Sequence, residues 1–97
     1  MVKTREEIYD ILHERNGYQY NLLKASEECQ ELGLALTQKI LKYTKTPDQA
    51  IIDEIGDVII RVEILKRIFP IDLIEKRIDK KLSKFETYMD HELYKEI

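Results

Sequence analysis

Residues that break helices are almost absent from this chain. It has three glycines and two prolines in 97 residues, and Gly17, Pro47 and Pro70 fall where an apolar repeat of about 3.6 residues breaks off. Such a chain is restricted to helices joined by short turns, so a single all-α domain over residues 1–97 is expected. Thr4 with Glu7 three residues on has the signature of a capping box and opens a first helix that runs to Asn16-Gly17. A second helix spans Tyr18 to about Tyr43, with Leu22, Ala25, Cys29, Leu32, Leu36 and Ile40 on one stripe. Thr46-Pro47-Asp48-Gln49 supplies an N-cap, a proline for the first helical position and a glutamine at N3, and so starts a third. That helix directs Ile51, Ile55, Val58, Ile59, Val62, Leu65 and Phe69 inward and stops before Pro70. Asp72 and Glu75 cap a fourth, striped by Leu73, Ile74, Ile78, Leu82, Phe85 and Met89, and the segment after Asp90 forms a tail.

Short connections make successive helices antiparallel neighbours, and the architecture expected is a four-helix bundle. Ile60 and Ile64 on helix 3, and Leu23, Leu34 and Leu41 on helix 2, lie outside the main stripes and require a second buried face. A homodimer or homotetramer would provide it. Gly33 and Gly56 sit inside helices, where each costs about 1 kcal/mol against alanine, which points to close packing or a site at both.

The charge balance narrows the partners. Sixteen basic side chains against nineteen acidic ones leave a net charge of −3, which favours neither nucleic acid nor an anionic membrane. Cys29 is the only cysteine, so no intramolecular disulfide forms, and a lone thiol fits a reducing compartment. No apolar run reaches the length of a membrane span, and Met1-Val2-Lys3-Thr4-Arg5-Glu6-Glu7 lacks the apolar stretch of a signal peptide. A soluble, cytoplasmic protein is expected.

Within this frame one chemical pattern occurs twice. Sliding the sequence by twenty-six positions aligns Glu27-Glu28-Cys29-Gln30-Glu31-Leu32 with Asp53-Glu54-Ile55-Gly56-Asp57-Val58. Glu28 and Glu31 share one helical face, as do Glu54 and Asp57. On a 3.6-residue wheel Leu32 and Val58 point within about 40° of Glu28 and Glu54, so all four carboxylates lean toward the seam between helices 2 and 3. Four carboxylates at such a seam repel one another and resist desolvation unless a cation neutralises them. Hard oxygen ligands suit Mg²⁺ or Mn²⁺, and Mg²⁺ completes its shell with water and phosphate oxygens, so a phosphate ester or anhydride is the matching substrate. Lys24 lies one turn before Glu28 and Arg61 one turn after Asp57, both placed to meet phosphate. Helix 4 adds Lys76, Arg77, Lys80, Lys81 and Lys84 in two basic columns, of which most form a solvated face. Asn21 shares the Glu28 column and offers an amide to a base edge.

These residues resemble the MazG-like all-α NTP pyrophosphohydrolase superfamily, whose hallmark is E-E-x-x-E on one helix and E-x-x-D on the next. Here the pattern is Glu27-Glu28-Cys29-Gln30-Glu31 followed by Glu54-Ile55-Gly56-Asp57, preceded by Lys24-Ala25-Ser26, and the resemblance covers most of the chain. It implies a small single-domain member, of the class that includes phage-encoded ones, with Glu28, Glu31, Glu54 and Asp57 as Mg²⁺ ligands. It also implies that Lys24 and the Lys81-Leu82-Ser83-Lys84 segment contact phosphate, and that a nucleoside triphosphate is cleaved to the monophosphate and pyrophosphate. Glu27 is the nearest acid outside the ligand set to orient the attacking water. Many relatives place an asparagine and then an arginine after the helix 4 lysine, where this chain has Phe85 and Tyr88. With no tryptophan present, Tyr18, Tyr20 or Tyr43 is left to stack on a base.

Two rival readings draw on the same helices. A diiron bundle requires Glu-x-x-His on paired helices, and the two histidines, His13 and His91, are remote in sequence from both clusters. Nucleophilic triads and glycine-rich phosphate loops find no supporting pattern. A non-catalytic helical interaction module, its acids paired with Lys24, Arg61 or helix 4, is the alternative that remains.

Overall fold

The computed structural model describes residues 2–42 and 45–90, and over these the protein is all-helical. Helix α1 covers Arg5–Asn16, α2 Tyr18–Leu41, α3 Asp48–Leu65 and α4 Ile71–Asp90. The capping box that opens α1 is complete: the Glu7 amide donates to Thr4 Oγ1 at 3.1 Å, and the Thr4 amide donates to Glu7 Oε1 at 3.2 Å. Gly17 ends α1 and begins α2 with no loop between them. Its φ of +82° lies where a side chain is strained, and its carbonyl accepts from the Asn21 amide at 3.2 Å.

The start of α3 differs by one residue from expectation. Pro47 holds the N-cap position, without a side-chain cap, in place of Thr46. The Thr46 carbonyl accepts from Lys39 Nζ at 2.9 Å, and the same ammonium pairs with Asp48 at 2.9 Å, so α2 ties down the turn that Thr46 was expected to cap. The Gln49 amide donates to Asp53 at 2.7 Å instead of reaching back to the cap. Asp72 likewise is not a cap, because α4 begins at Ile71 and places Asp72 inside its first turn. Tyr43, His91 and the tail lie outside the described residues.

Helices α2 and α3 pack antiparallel along their length. The pair is pinned at one end by the Tyr18–Phe69 edge contact, with centroids 6.3 Å apart, and at the other by Lys39 and Asp48. Helix α1 lies against both, fastened by Arg67 just beyond α3. The Arg67 guanidinium pairs with Glu6 and with Asp10 at 2.7 Å, donates to the Glu63 carbonyl at 2.8 Å, and stacks 5.2 Å above the Tyr9 ring. Its carboxylate partners hold it even more firmly protonated than a free arginine. Because those partners are largely exposed, Arg67→Ala is expected to cost about 1–2 kcal/mol in urea unfolding, and a loss below about 0.3 kcal/mol would refute the clamp.

One chain does not close the expected bundle of four. Helix α4 packs against none of α1, α2 and α3, and the radius of gyration is 16.7 Å against about 12.5 Å for a compact chain of this length. Among the described residues only Tyr9, Ala25, Ala35 and Ile64 are fully buried apolar side chains. Several positions expected in the core are exposed, notably Leu36 and Ile40 on α2, Ile55, Ile59 and Val62 on α3, and Leu82 on α4. On α3 the fully buried position is Ile64, expected outside the main stripe, while Ile55, Ile59 and Val62 of that stripe face out, so within one chain α1 and α2 cover a different face of α3 from the one its periodicity marks. Among the described residues no helix is long and apolar enough to cross a membrane.

Candidate metal centre

The antiparallel pairing of α2 and α3 sets the two acidic clusters opposite each other. Glu28 from α2 and Glu54 and Asp57 from α3 each offer a carboxylate oxygen, and all three atoms lie within 4.8 Å of one another. Glu28 and Glu54 are half-buried, and each has an Oε2 that is out of contact with solvent and without a hydrogen-bond partner. Such oxygens fit a hard cation, because an anionic acceptor buried with nothing to accept from is otherwise costly. Burial holds the Glu28 carboxyl above the ordinary carboxylate value. Repulsion from Glu31 and Asp57, and a hydrogen bond to Glu31 that needs the proton, add to this, while the Arg61 charge pulls the other way.

The fourth expected ligand, Glu31, stands beside the cluster and not within it. It is exposed, close enough to repel Glu28, and together with Asp53 and Glu54 lines an open depression of about 410 Å³ that runs along the seam. Ala35 and Ala50 leave the space, and Gln38 and Leu34 complete the wall. Gln38 was not anticipated as a site residue, although it follows Glu31 by seven residues and therefore shares its face.

The other anticipated residues divide. Arg61 sits at the cluster's edge, where its charge acts on the Glu28 carboxyl, and it is near enough to Lys24 to repel that ammonium. Lys24 is paired with Glu27 at 3.2 Å, which raises its pKa, and lies 5.6 Å from the Tyr20 ring centroid. One Arg61 terminal nitrogen is buried without a partner, a donor left for an oxyanion. Glu27 is thus engaged by Lys24 and lies outside the three-carboxylate group.

Asn21 is corrected. It is 1% exposed, and its amide donates to the Leu12 carbonyl of α1 at 3.4 Å, so it joins two helices and cannot meet a base from solvent. Lys81 and Lys84 lie over Phe85 and Tyr88 of their own helix, with centroids at 5.4 and 5.7 Å, and α4 does not bring them to the acids of its own chain. Tyr18 is committed to Phe69.

The arrangement is therefore a group of three carboxylates that could hold a cation, with a fourth acid beside it, cationic side chains at one edge, and an open depression along the seam. No family profile, curated protein or solved structure matches the chain.

Proposed function

We propose that the protein is a Mg²⁺-dependent nucleoside triphosphate pyrophosphohydrolase, a small member of the MazG-like superfamily, that cleaves ribo- or deoxynucleoside triphosphates to the monophosphate and pyrophosphate. The observation that carries the reading is the meeting of Glu28, Glu54 and Asp57 from two helices, with one buried oxygen each on Glu28 and Glu54 that has no partner among the described residues. A surface charge cluster of an interaction module would instead be expected to pair these acids, as Lys24 pairs Glu27.

Glu28, Glu54 and Asp57, with Glu31 at the margin, would hold Mg²⁺, or Mn²⁺ in its place. The ion would supply Lewis acidity at a phosphoryl oxygen and a more acidic bound water. Arg61 and Lys24 would neutralise phosphate oxygens, Arg61 through its unpartnered nitrogen. The depression lined by Glu31, Ala35, Gln38 and Ala50 would take the nucleoside end, with Gln38 the group able both to donate to and accept from a base. Glu27 would serve as a base for the water only after release from Lys24, so Glu31, in no ion pair among the described residues, is the better placed acid for that task.

The direct test is pyrophosphate release from a panel of ribo- and deoxynucleoside triphosphates in Mg²⁺ and in a chelator. Release from at least one triphosphate that the chelator abolishes is the expected result; no release from any of them would refute the reading. Binding is checked separately by thermal unfolding. Mg²⁺ at a hundred times its dissociation constant is expected to add about 2.7 kcal/mol to stability, whereas acids that serve only as a solvated face would gain nothing comparable.

The raised pKa of Glu28 also fixes the sign of a pH effect. The folded protein holds this proton more tightly than the unfolded chain does, so metal-free stability falls as pH rises from the ordinary carboxylate value through the Glu28 value. Mg²⁺ competes with the proton, and its affinity is expected to rise over the same window. Urea midpoints across that range, with and without Mg²⁺, check both slopes. Glu28→Gln is expected to flatten the metal-free slope, and an unchanged slope would count against the assignment.

A further inference from the structure

We infer that Arg61, with Lys24 beside it, forms a subsite for a diphosphate, which bridges this edge to a cation held by Glu28, Glu54 and Asp57 and turns a nucleoside the other way along the seam. The starting observation is an arginine without an acid. One terminal nitrogen of Arg61 is out of contact with solvent and has no hydrogen-bond partner. The Arg61 charge acts on the Glu28 carboxyl, yet among the described residues Arg61 enters no ion pair, whereas Arg67 pairs with Glu6 and Asp10. A buried N–H left unsatisfied is costly, and the donors of a guanidinium are fixed in a fork that matches phosphate oxygens.

The neighbouring cation makes the want of an anion greater. Arg61 repels the Lys24 ammonium, and Glu27 is the ion-pair partner of Lys24, so the Arg61 charge is left unmatched. An anion bound here would relieve the repulsion and fill the empty donor together.

Spacing selects the class of anion. Arg61 stands one turn beyond Asp57 on α3, and Lys24 one turn before Glu28 on α2, each about 6 Å along its helix. A single phosphate on the cation falls short of that edge, whereas two linked phosphoryl groups reach it, one on the cation and one on Arg61. Without the cation the three carboxylates repel any anion, so binding requires a divalent ion.

The antiparallel register also gives the subsite a direction. Lys24 and Arg61 lie at one end of the seam, the three carboxylates in the middle, and the depression at Ala35 and Gln38 beyond them. A triphosphate laid along it has its β and γ phosphates at Arg61 and its sugar and base in the depression. Water adds its oxygen to the α phosphorus and gives a proton to Glu31, the α–β bridging oxygen departs with the pyrophosphate, and Arg61 holds that leaving group. Assigning the subsite to the leaving group rests on the pyrophosphohydrolase reading; the binding of a diphosphate does not.

Isothermal titration calorimetry of the full chain, with Mg²⁺ in excess over the anion, tests the subsite without turnover. Inorganic pyrophosphate is expected to bind about tenfold more tightly than orthophosphate, and only in the presence of Mg²⁺. Equal affinity for the two anions, or no binding of pyrophosphate, would overturn the inference. Arg61→Leu is expected to weaken pyrophosphate binding by about tenfold while Mg²⁺ alone binds as tightly as before or more tightly, because a positive charge beside the ion is gone. Opposite signs distinguish an anion donor from a structural arginine; a variant that weakens both ligands, or neither, refutes the subsite.

Should Arg61→Leu lose helicity, Arg61→Lys decides. It keeps the charge but not the fork, and pyrophosphate affinity is expected to fall by about threefold with Mg²⁺ affinity held, whereas an unchanged pyrophosphate affinity refutes the subsite. Turnover is read separately. Pyrophosphate is expected to inhibit triphosphate cleavage, and Arg61→Leu to raise both its inhibition constant and the KM; inhibition that the substitution leaves unchanged overturns the leaving-group assignment. If no triphosphate is cleaved while the calorimetry behaves as expected, the pyrophosphohydrolase reading fails and the diphosphate subsite stands.

Discussion

Glu54→Gln is expected to lower Mg²⁺-dependent pyrophosphate release by about 10³-fold, equivalent to about 4 kcal/mol of lost transition-state stabilisation. The substitution keeps the shape of the side chain but removes a charge from the three-carboxylate group, at a carboxylate one of whose oxygens is buried with no partner. The same change removes repulsion that the metal-free protein bears, so its thermal midpoint should hold or rise. Lost turnover with retained stability distinguishes a ligand from a structural acid. Turnover within tenfold of the parent chain, measured at saturating Mg²⁺, would exclude Glu54 from the site.

The largest effect on stability is expected at Ile64. It is 1% exposed and sits on α3, the helix that both α1 and α2 pack against. Ile64→Ala removes three buried carbons and leaves a cavity, at a cost of about 3 kcal/mol in urea unfolding of the metal-free protein. For a chain with so few fully buried apolar side chains that is a large share of the whole, since small domains are stable by only about 5–15 kcal/mol. A loss below about 1 kcal/mol would mean that the core lies elsewhere.

The sequence carried the helices well because their signals are local. The Thr4 and Glu7 capping box, the break at Gly17 and the stop before Pro70 depend on neighbours within four residues, and each stands where its chemistry requires. The meeting of Glu28 with Glu54 and Asp57 was also legible, since each acid has a fixed phase relative to an apolar stripe and the stripes of α2 and α3 face each other. Periodicity names the apolar face of a helix but not the surface that covers it. That is why Leu36, Ile40 and Ile59 were expected inside and stand exposed. Asn21 was misread for a related reason: it shares the Glu28 column, but α1 crosses α2 at that turn and buries it against the Leu12 carbonyl. Thr46 is not the cap of α3, which Pro47 holds, and its carbonyl is bound by Lys39, seven residues earlier and on another helix. Lys81 and Lys84 have the chemistry for phosphate, but helical spacing carries no information about whether α4 packs where they would meet the acids, and within one chain it does not.

Gly17 closes one helix and opens the next, so no residue between α1 and α2 is available to take up a change in chain length. Inserting one residue there would shift and redirect α1 relative to α2, carrying Tyr9 off the Arg67 guanidinium and Leu12 away from Asn21. The junction therefore behaves as an indexed joint, in which the number of residues, and not only their kind, sets how the first helix meets the rest.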